Sequence, residues 1–170
     1  MPGTYEPIAT TTLGSAASTI TFSSISSAYT DLRLIFNINV DTASRVCSLR
    51  FNSDTATNYS STYLSGNGTA AGTGRNNNVN LIYLAGNSTV TPSTAGQWAS
   101  YQVDVFSYAG STNKTALSQI AGDQNGSGSV FRGVHLYRST SAITSVTILL
   151  DGSGNFTTGT TATLYGIKKA

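Results

Sequence analysis

Apolar and polar residues alternate along most of the chain. Leu32, Leu34, Phe36, Ile38 and Val40 alternate with Arg33, Ile35, Asn37 and Asn39. Trp98 is followed by Tyr101, Val103 and Val105, with Phe106 off phase, and Ile143, Val146, Ile148 and Leu150 form a further run. In the stretch 130–137, Val130, Val134 and Leu136 interleave with Phe131, His135 and Tyr137. A period of two puts successive side chains on opposite faces of a pleated strand, and β-branched and aromatic residues suit that surface. Runs of this kind, bounded by Gly, Asn, Ser and Asp, predict about ten strands. The eleven runs, one or two of them marginal as strands, fall near residues 5–12, 18–25, 31–40, 45–52, 59–65, 78–85, 97–108, 114–121, 129–138, 143–150 and 160–168. No stretch holds the i, i+3, i+4, i+7 apolar spacing of an amphipathic helix. Strands without helical crossovers pair antiparallel. The expectation is a single all-β domain over residues 1–170, an antiparallel two-sheet sandwich of jelly-roll type. Leu34, Phe36, Ile38, Val103, Val105, Val146 and Ile148 are expected in its core.

Turn chemistry marks the separators: Gly66-Asn67-Gly68, Gly72-Thr73-Gly74, Asn125-Gly126 and Asp151-Gly152. The longest irregular stretch is Leu64 to Val79, LSGNGTAAGTGRNNNV. With almost no apolar content it reads as a long surface loop that docks on a neighbour or extends into solvent.

Composition sharpens the picture. The 170 residues include 26 Thr, 24 Ser and 13 Asn, while charged residues make up only 9%. Nine Tyr and six Phe argue against a disordered chain. No apolar run approaches the ~18 residues of a membrane-spanning helix, so no membrane partner is expected. The net charge is +2, and the nine basic residues are scattered, with only Lys168 and Lys169 adjacent. A duplex-binding protein needs a clustered basic face, so nucleic acid is not an expected partner. Cys47 is the one cysteine, which excludes an intramolecular disulfide. The start, MPGTYEPIATTTLG, lacks the basic and apolar regions of a signal peptide, so assembly in a reducing cytoplasm is expected. Six N-x-[ST] triplets, at Asn58, Asn67, Asn87, Asn113, Asn125 and Asn155, follow from the abundance of their components.

Candidate chemistry is sparse. His135 is the only histidine, and its alternation with Val134 and Leu136 places it on the opposite face from them, expected to be solvent or an interface. A Ser-His-Asp arrangement would require it. The acids Glu6, Asp31, Asp41, Asp54, Asp104, Asp123 and Asp151 mostly sit at strand ends, where Asp bonds backbone, and only Asp104 lies mid-strand. A paired-carboxylate glycosidase is disfavoured. Asp123-Gln124-Asn125-Gly126-Ser127-Gly128 matches the first half of a calcium loop, but Val134 stands where the bidentate Glu belongs. It reads as a polar hairpin loop. Gly72-x-Gly74 lacks the Lys-Ser/Thr of a phosphate loop. Tyr59, Tyr63, Tyr83, Trp98, Tyr101 and Tyr108 are candidates either for the core or for a contact surface. No catalytic residue, cofactor or metal is expected.

Two segments resemble known proteins. YEPIATTTLGSAASTITFSSISSAYTDLRLIF at the N-terminal end resembles a recurrent opening in structural proteins of tailed bacteriophages. AITSVTILLDGSGNFTTGTTATLYGIKKA resembles an ending of the same proteins, through Gly154-Asn155-Phe156 and Leu164-Tyr165-Gly166-Ile167. LRFNSDTATNYSSTYLSGNG, in the middle, fits more loosely. The resemblance implies a non-enzymatic virion component made in the bacterial host cytoplasm. It is similar to capsid decoration (cement) proteins, which implies the major capsid protein as partner. The alternative is a tail or fibre module that binds a host-surface glycan. Scarce charge weakens repulsion between copies, and uncharged polar side chains bond across an interface without burying ions. A homotrimer is therefore expected, with the 64–79 stretch as a contact.

Overall fold

The computed structural model describes residues 4–42, 45–87, 91–92, 97–123 and 126–168. Twelve strands form two antiparallel sheets, and no helix occurs among the described residues. In chain order they are β1 (Tyr5–Thr12), β2 (Thr19–Phe22), β3 (Asp31–Ile38), β4 (Val46–Phe51), β5 (Tyr59–Gly66), β6 (Ala71–Val79), β7 (Ile82–Asn87), β8 (Ala99–Phe106), β9 (Lys114–Asp123), β10 (Gly128–Tyr137), β11 (Val146–Asp151) and β12 (Thr161–Ile167).

The larger sheet runs β1-β12-β3-β8-β9-β10-β5-β6, and the smaller runs β2-β11-β4-β7. Eight of these strands make a jelly roll. The chain alternates between sheets from β1 through β4, crosses again from β7 to β8, and ends on β11 and β12, which gives the two four-stranded layers β1-β12-β3-β8 and β2-β11-β4-β7. The remaining four strands are insertions. β5–β6 lies between β4 and β7, β9–β10 lies between β8 and β11, and both add to the open β8 edge. The eight-stranded sheet is therefore twice as wide as its partner.

The period-two reading holds. All seven expected core residues, Leu34, Phe36, Ile38, Val103, Val105, Val146 and Ile148, are buried. One hydrophobic cluster joins the inner faces of both sheets. Within it Phe36 stacks on Tyr101 with ring centroids 4.8 Å apart, and Tyr59 stacks on Tyr137 at the same separation. Both pairs follow from register: Phe36 lies opposite Tyr101, and Tyr59 opposite Tyr137. Phe156, in the turn after β11, is fully buried and bridges the backbones of Ala17 and Val40. Asp41 accepts from both the backbone N and Nδ2 of Asn155, at 2.8 Å each, and so locks that turn.

One expectation is corrected. Most of the stretch 64–79 is strand, not loop. β5 and β6 form a hairpin, with Thr62 opposite Arg75 and Leu64 opposite Thr73. The Asn67 side chain closes the turn by accepting from the backbone N of Thr69 and Ala70. Gly, Asn and Thr have too little apolar content to signal a strand, but an edge strand needs only one hydrogen-bonded neighbour. Gly74 also has a positive role. A Cβ there would come within 2.3 Å of the Tyr63 hydroxyl, and a Cβ at Gly86 of β7 within 2.2 Å of the Tyr63 ring. The Tyr63 ring fills the space that these two glycines leave open, and so ties the inserted hairpin to the smaller sheet. The expected strand at 78–85 is divided between the end of β6 and β7, with Asn78 in the left-handed region at φ 51°.

Candidate functional site

His135 contradicts the expectation of a solvent or interface position. The alternation was right, but the two faces are exchanged. Phe131, His135 and Tyr137 point into the sandwich, while Val130 and Val134 point outward. His135 is 1% exposed. Its Nδ1 lies 2.8 Å from Ser61 Oγ and its Nε2 2.8 Å from Ser118 Oγ. Ser118 Oγ donates to the Leu84 carbonyl at 3.4 Å. With that hydrogen committed, Nε2–H donates to Ser118, and Ser61 donates to Nδ1. The imidazole is neutral, and burial pushes its pKa from 6.5 down to about 4. Gly133 makes room for it, since a Cβ there would lie 2.9 Å from both His135 Nε2 and Ser118 Oγ. The trio has the ingredients of a nucleophile and base, but all three side chains are buried, and they join strands β5, β9 and β10 across the sheet.

The carboxylates are dispersed and mostly structural. Asp104 faces Arg33 across β8 and β3, in a two-pronged ion pair whose Nη2–Oδ2 bond is 2.9 Å. Tyr5 lies beside it, with the Arg33 guanidinium 5.3 Å from the ring centroid. Glu6 pairs with Lys168 at 2.8 Å. Asp31 accepts from the backbone N of Ser107, and Asp54 from the backbone N of Ala56. Hydrogen bonds from Asn155 and Thr42 hold Asp41 below the usual carboxylate range. Asp123 ends β9, but Gln124 and Asn125 of the half calcium loop lie outside the described residues. Among the described residues no three His, Cys, Asp or Glu side chains gather to hold a metal. Among the described residues no helix is long and apolar enough to cross a membrane.

The six candidate aromatics divide. Tyr59, Tyr101 and Tyr108 belong to the core, Tyr63 and Tyr83 are half-buried, and Trp98 is 38% exposed. They form no shared surface. Cys47 is buried, and burial raises its thiol pKa far above the ordinary value. Lys114 was missed by sequence reasoning. It is fully buried, and its ammonium donates to the carbonyls of Gly110 at 2.7 Å, Ser139 at 3.3 Å and Thr112. Its position in phase with Ala116, Ser118 and Ile120 was the available signal.

The outer face of the inserted strands is the chemically distinctive surface. Leu64 is 64% exposed, Val130 55% and Val134 46%. Leu64, Leu117 and Val134 surround a shallow depression of about 230 Å³ that Thr62 and Arg132 complete. Toward the other end of the same strands lies a second, larger groove of about 470 Å³. Ser60, Thr62, Arg75, Asn77, Asn78 and Arg138 line it, over a floor of Val134 and Leu136. The two share only Thr62 and Val134. This face depends on the wide sheet, because β5, β6, β9 and β10 lie beyond the eight-strand jelly roll. No protein-family model and no curated protein matches the chain.

Proposed function

We propose that this protein is a non-enzymatic structural component of a tailed-bacteriophage virion, a capsid decoration protein that assembles as a homotrimer on the major capsid protein. The observation that carries the reading is the exposed apolar depression of Leu64, Leu117 and Val134 on the outer face of the widened sheet. Apolar side chains clustered on a strand face, rimmed by Thr62 and the single charged group of Arg132, suit contact with another protein surface. The resemblance of the two end segments adds support. Those segments pack side by side in the fold as β1-β12-β3 in the larger sheet and β2-β11 in the smaller. The two end segments thus supply β1, β2, β3, β11 and β12 on one side of the sandwich, and the looser middle segment reaches into β5 of the inserted hairpin.

Sedimentation of the purified protein, followed by mixing with undecorated capsids, tests the proposal. A trimer that binds capsids is expected, and Leu64→Glu should abolish capsid binding while leaving the circular dichroism spectrum unchanged. A monomer that ignores capsids would favour the tail or fibre alternative.

A further inference from the structure

We infer that the groove between β5, β6 and β10 is a binding site for an acidic glycan, a sugar chain carrying carboxylate or sulfate groups. The inference is independent of capsid binding. Two guanidiniums, Arg75 and Arg138, line the groove, and no carboxylate does. Both are held in place by neutral groups. Arg138 Nη1 donates to Ser60 Oγ at 2.7 Å, and its Nη2 donates to the Thr57 carbonyl and to Asn78 Oδ1 at 2.9 Å each. With the Asn77 amide oriented to satisfy both partners, Arg75 Nη2 and Nε donate to its oxygen at 3.0 and 3.2 Å. These bonds fix the guanidiniums without neutralising them; with its contact to the Tyr59 carbonyl they commit the Nη2 hydrogens of Arg138, while Arg75 keeps its Nη1 edge for a ligand. Elsewhere on the same sheet Arg33 has its own carboxylate, Asp104. In the groove no lining carboxylate answers the two cations, so an anionic ligand would meet positive charge that the lining does not offset.

The rest of the lining selects the kind of anion. The Nη1–Nη2 edge of Arg75 matches carboxylate or sulfate oxygens bidentately, and Arg138 adds positive charge beside it. The Thr62 hydroxyl, the Ser60 hydroxyl hydrogen and the Asn78 amide nitrogen add polar groups that complement sugar hydroxyls, while the Asn77 amide and the Asn78 oxygen hold the arginines. Val134 and Leu136 offer an apolar floor to the C–H face of a sugar ring. An acidic peptide would share the charge, and its backbone would meet the polar groups, but it would bring no sugar-ring C–H face to the floor of Val134 and Leu136. The volume accommodates one or two sugar units, and the open groove allows a chain to continue beyond them.

Titration calorimetry of the full chain at low salt, with tetragalacturonate and with a carrageenan tetrasaccharide, separates the carboxylate and sulfate sources. Maltotetraose is the neutral control, and hexaglutamate tests the peptide class. At least one acidic tetrasaccharide should bind, at least tenfold more tightly than maltotetraose or hexaglutamate. Arg75 is exposed on an edge strand, so Arg75→Ala leaves the fold intact, and it should weaken binding at least tenfold. Arg75→Lys should recover part of that loss, because it restores charge but not the fork. The inference is overturned if neither acidic sugar binds, if maltotetraose or hexaglutamate binds as well as they do, or if Arg75→Ala changes nothing.

Discussion

Acid should weaken this fold through a single imidazole. His135 is neutral and buried in the native state, with its pKa lowered from 6.5 to about 4. The unfolded chain therefore takes up a proton between those values while the native state does not. A depressed native pKa means the stabilisation is complete above pH 6.5 and is lost as pH falls toward 4. The full term is about 3 kcal/mol, and about 2 kcal/mol of it disappears between pH 7 and pH 5. His135 is the only histidine, the side-chain type whose ordinary pKa lies between pH 5 and 8. Protonation would turn both ring nitrogens into donors, and Ser61 would have to surrender its bond to Nδ1. Urea unfolding at pH 7, 6 and 5 measures the effect as a falling midpoint at constant slope. His135→Asn should be less stable at pH 7 and nearly flat across the same range. A flat profile in the parent protein, or an equal fall in the variant, would refute the reasoning.

Three further perturbations probe the interior. Phe36→Ala removes a fully buried ring stacked on Tyr101 and should cost about 3–5 kcal/mol in chemical denaturation. Tyr101→Phe should be neutral or stabilising by about 1 kcal/mol, because the buried Tyr101 hydroxyl has no hydrogen-bond partner among the described residues. A loss above 1 kcal/mol would mean that the hydroxyl is bonded. Lys114→Met keeps the buried stem but leaves three loop carbonyls without their donor, and should lower stability by about 2–3 kcal/mol in thermal or urea unfolding.

The strands were legible where both faces of a run carried contrasting residues. β3 shows this well, with Leu32, Leu34, Phe36 and Ile38 on one side and Arg33 and Asn37 on the other. In β10 both faces carry large side chains, so the phase of burial could not be read locally. Val134 is the more apolar residue, yet His135 is the one enclosed, because Ser61 and Ser118 on neighbouring strands satisfy both its nitrogens. That information lies in cross-strand register, which a single strand does not contain. β6 was illegible for a related reason. Its glycines and asparagines signal a loop, and only the Tyr63 ring resting beside Gly74 explains the glycine there. The groove inherits that gap, since Arg75, Asn77 and Asn78 become neighbours of Arg138 only once β6 is recognised as a strand.

The strand order sets a constraint on how the protein is made. β1 is paired to nothing but β12 in the larger sheet, and the hydroxyl of Thr10 meets that of Thr163 across 153 positions of sequence. β3 likewise waits for β12 on one side and β8 on the other. Contacts between distant positions carry a large loop-closure cost before they are rewarded, so folding should be slow for a chain of this size. During synthesis the β9–β10 and β5–β6 hairpins can form early, because their partners are close in sequence. Half of the jelly roll must stay open until β12 has left the ribosome. Until then β3, with its row of apolar side chains, presents an unpaired edge to other nascent copies.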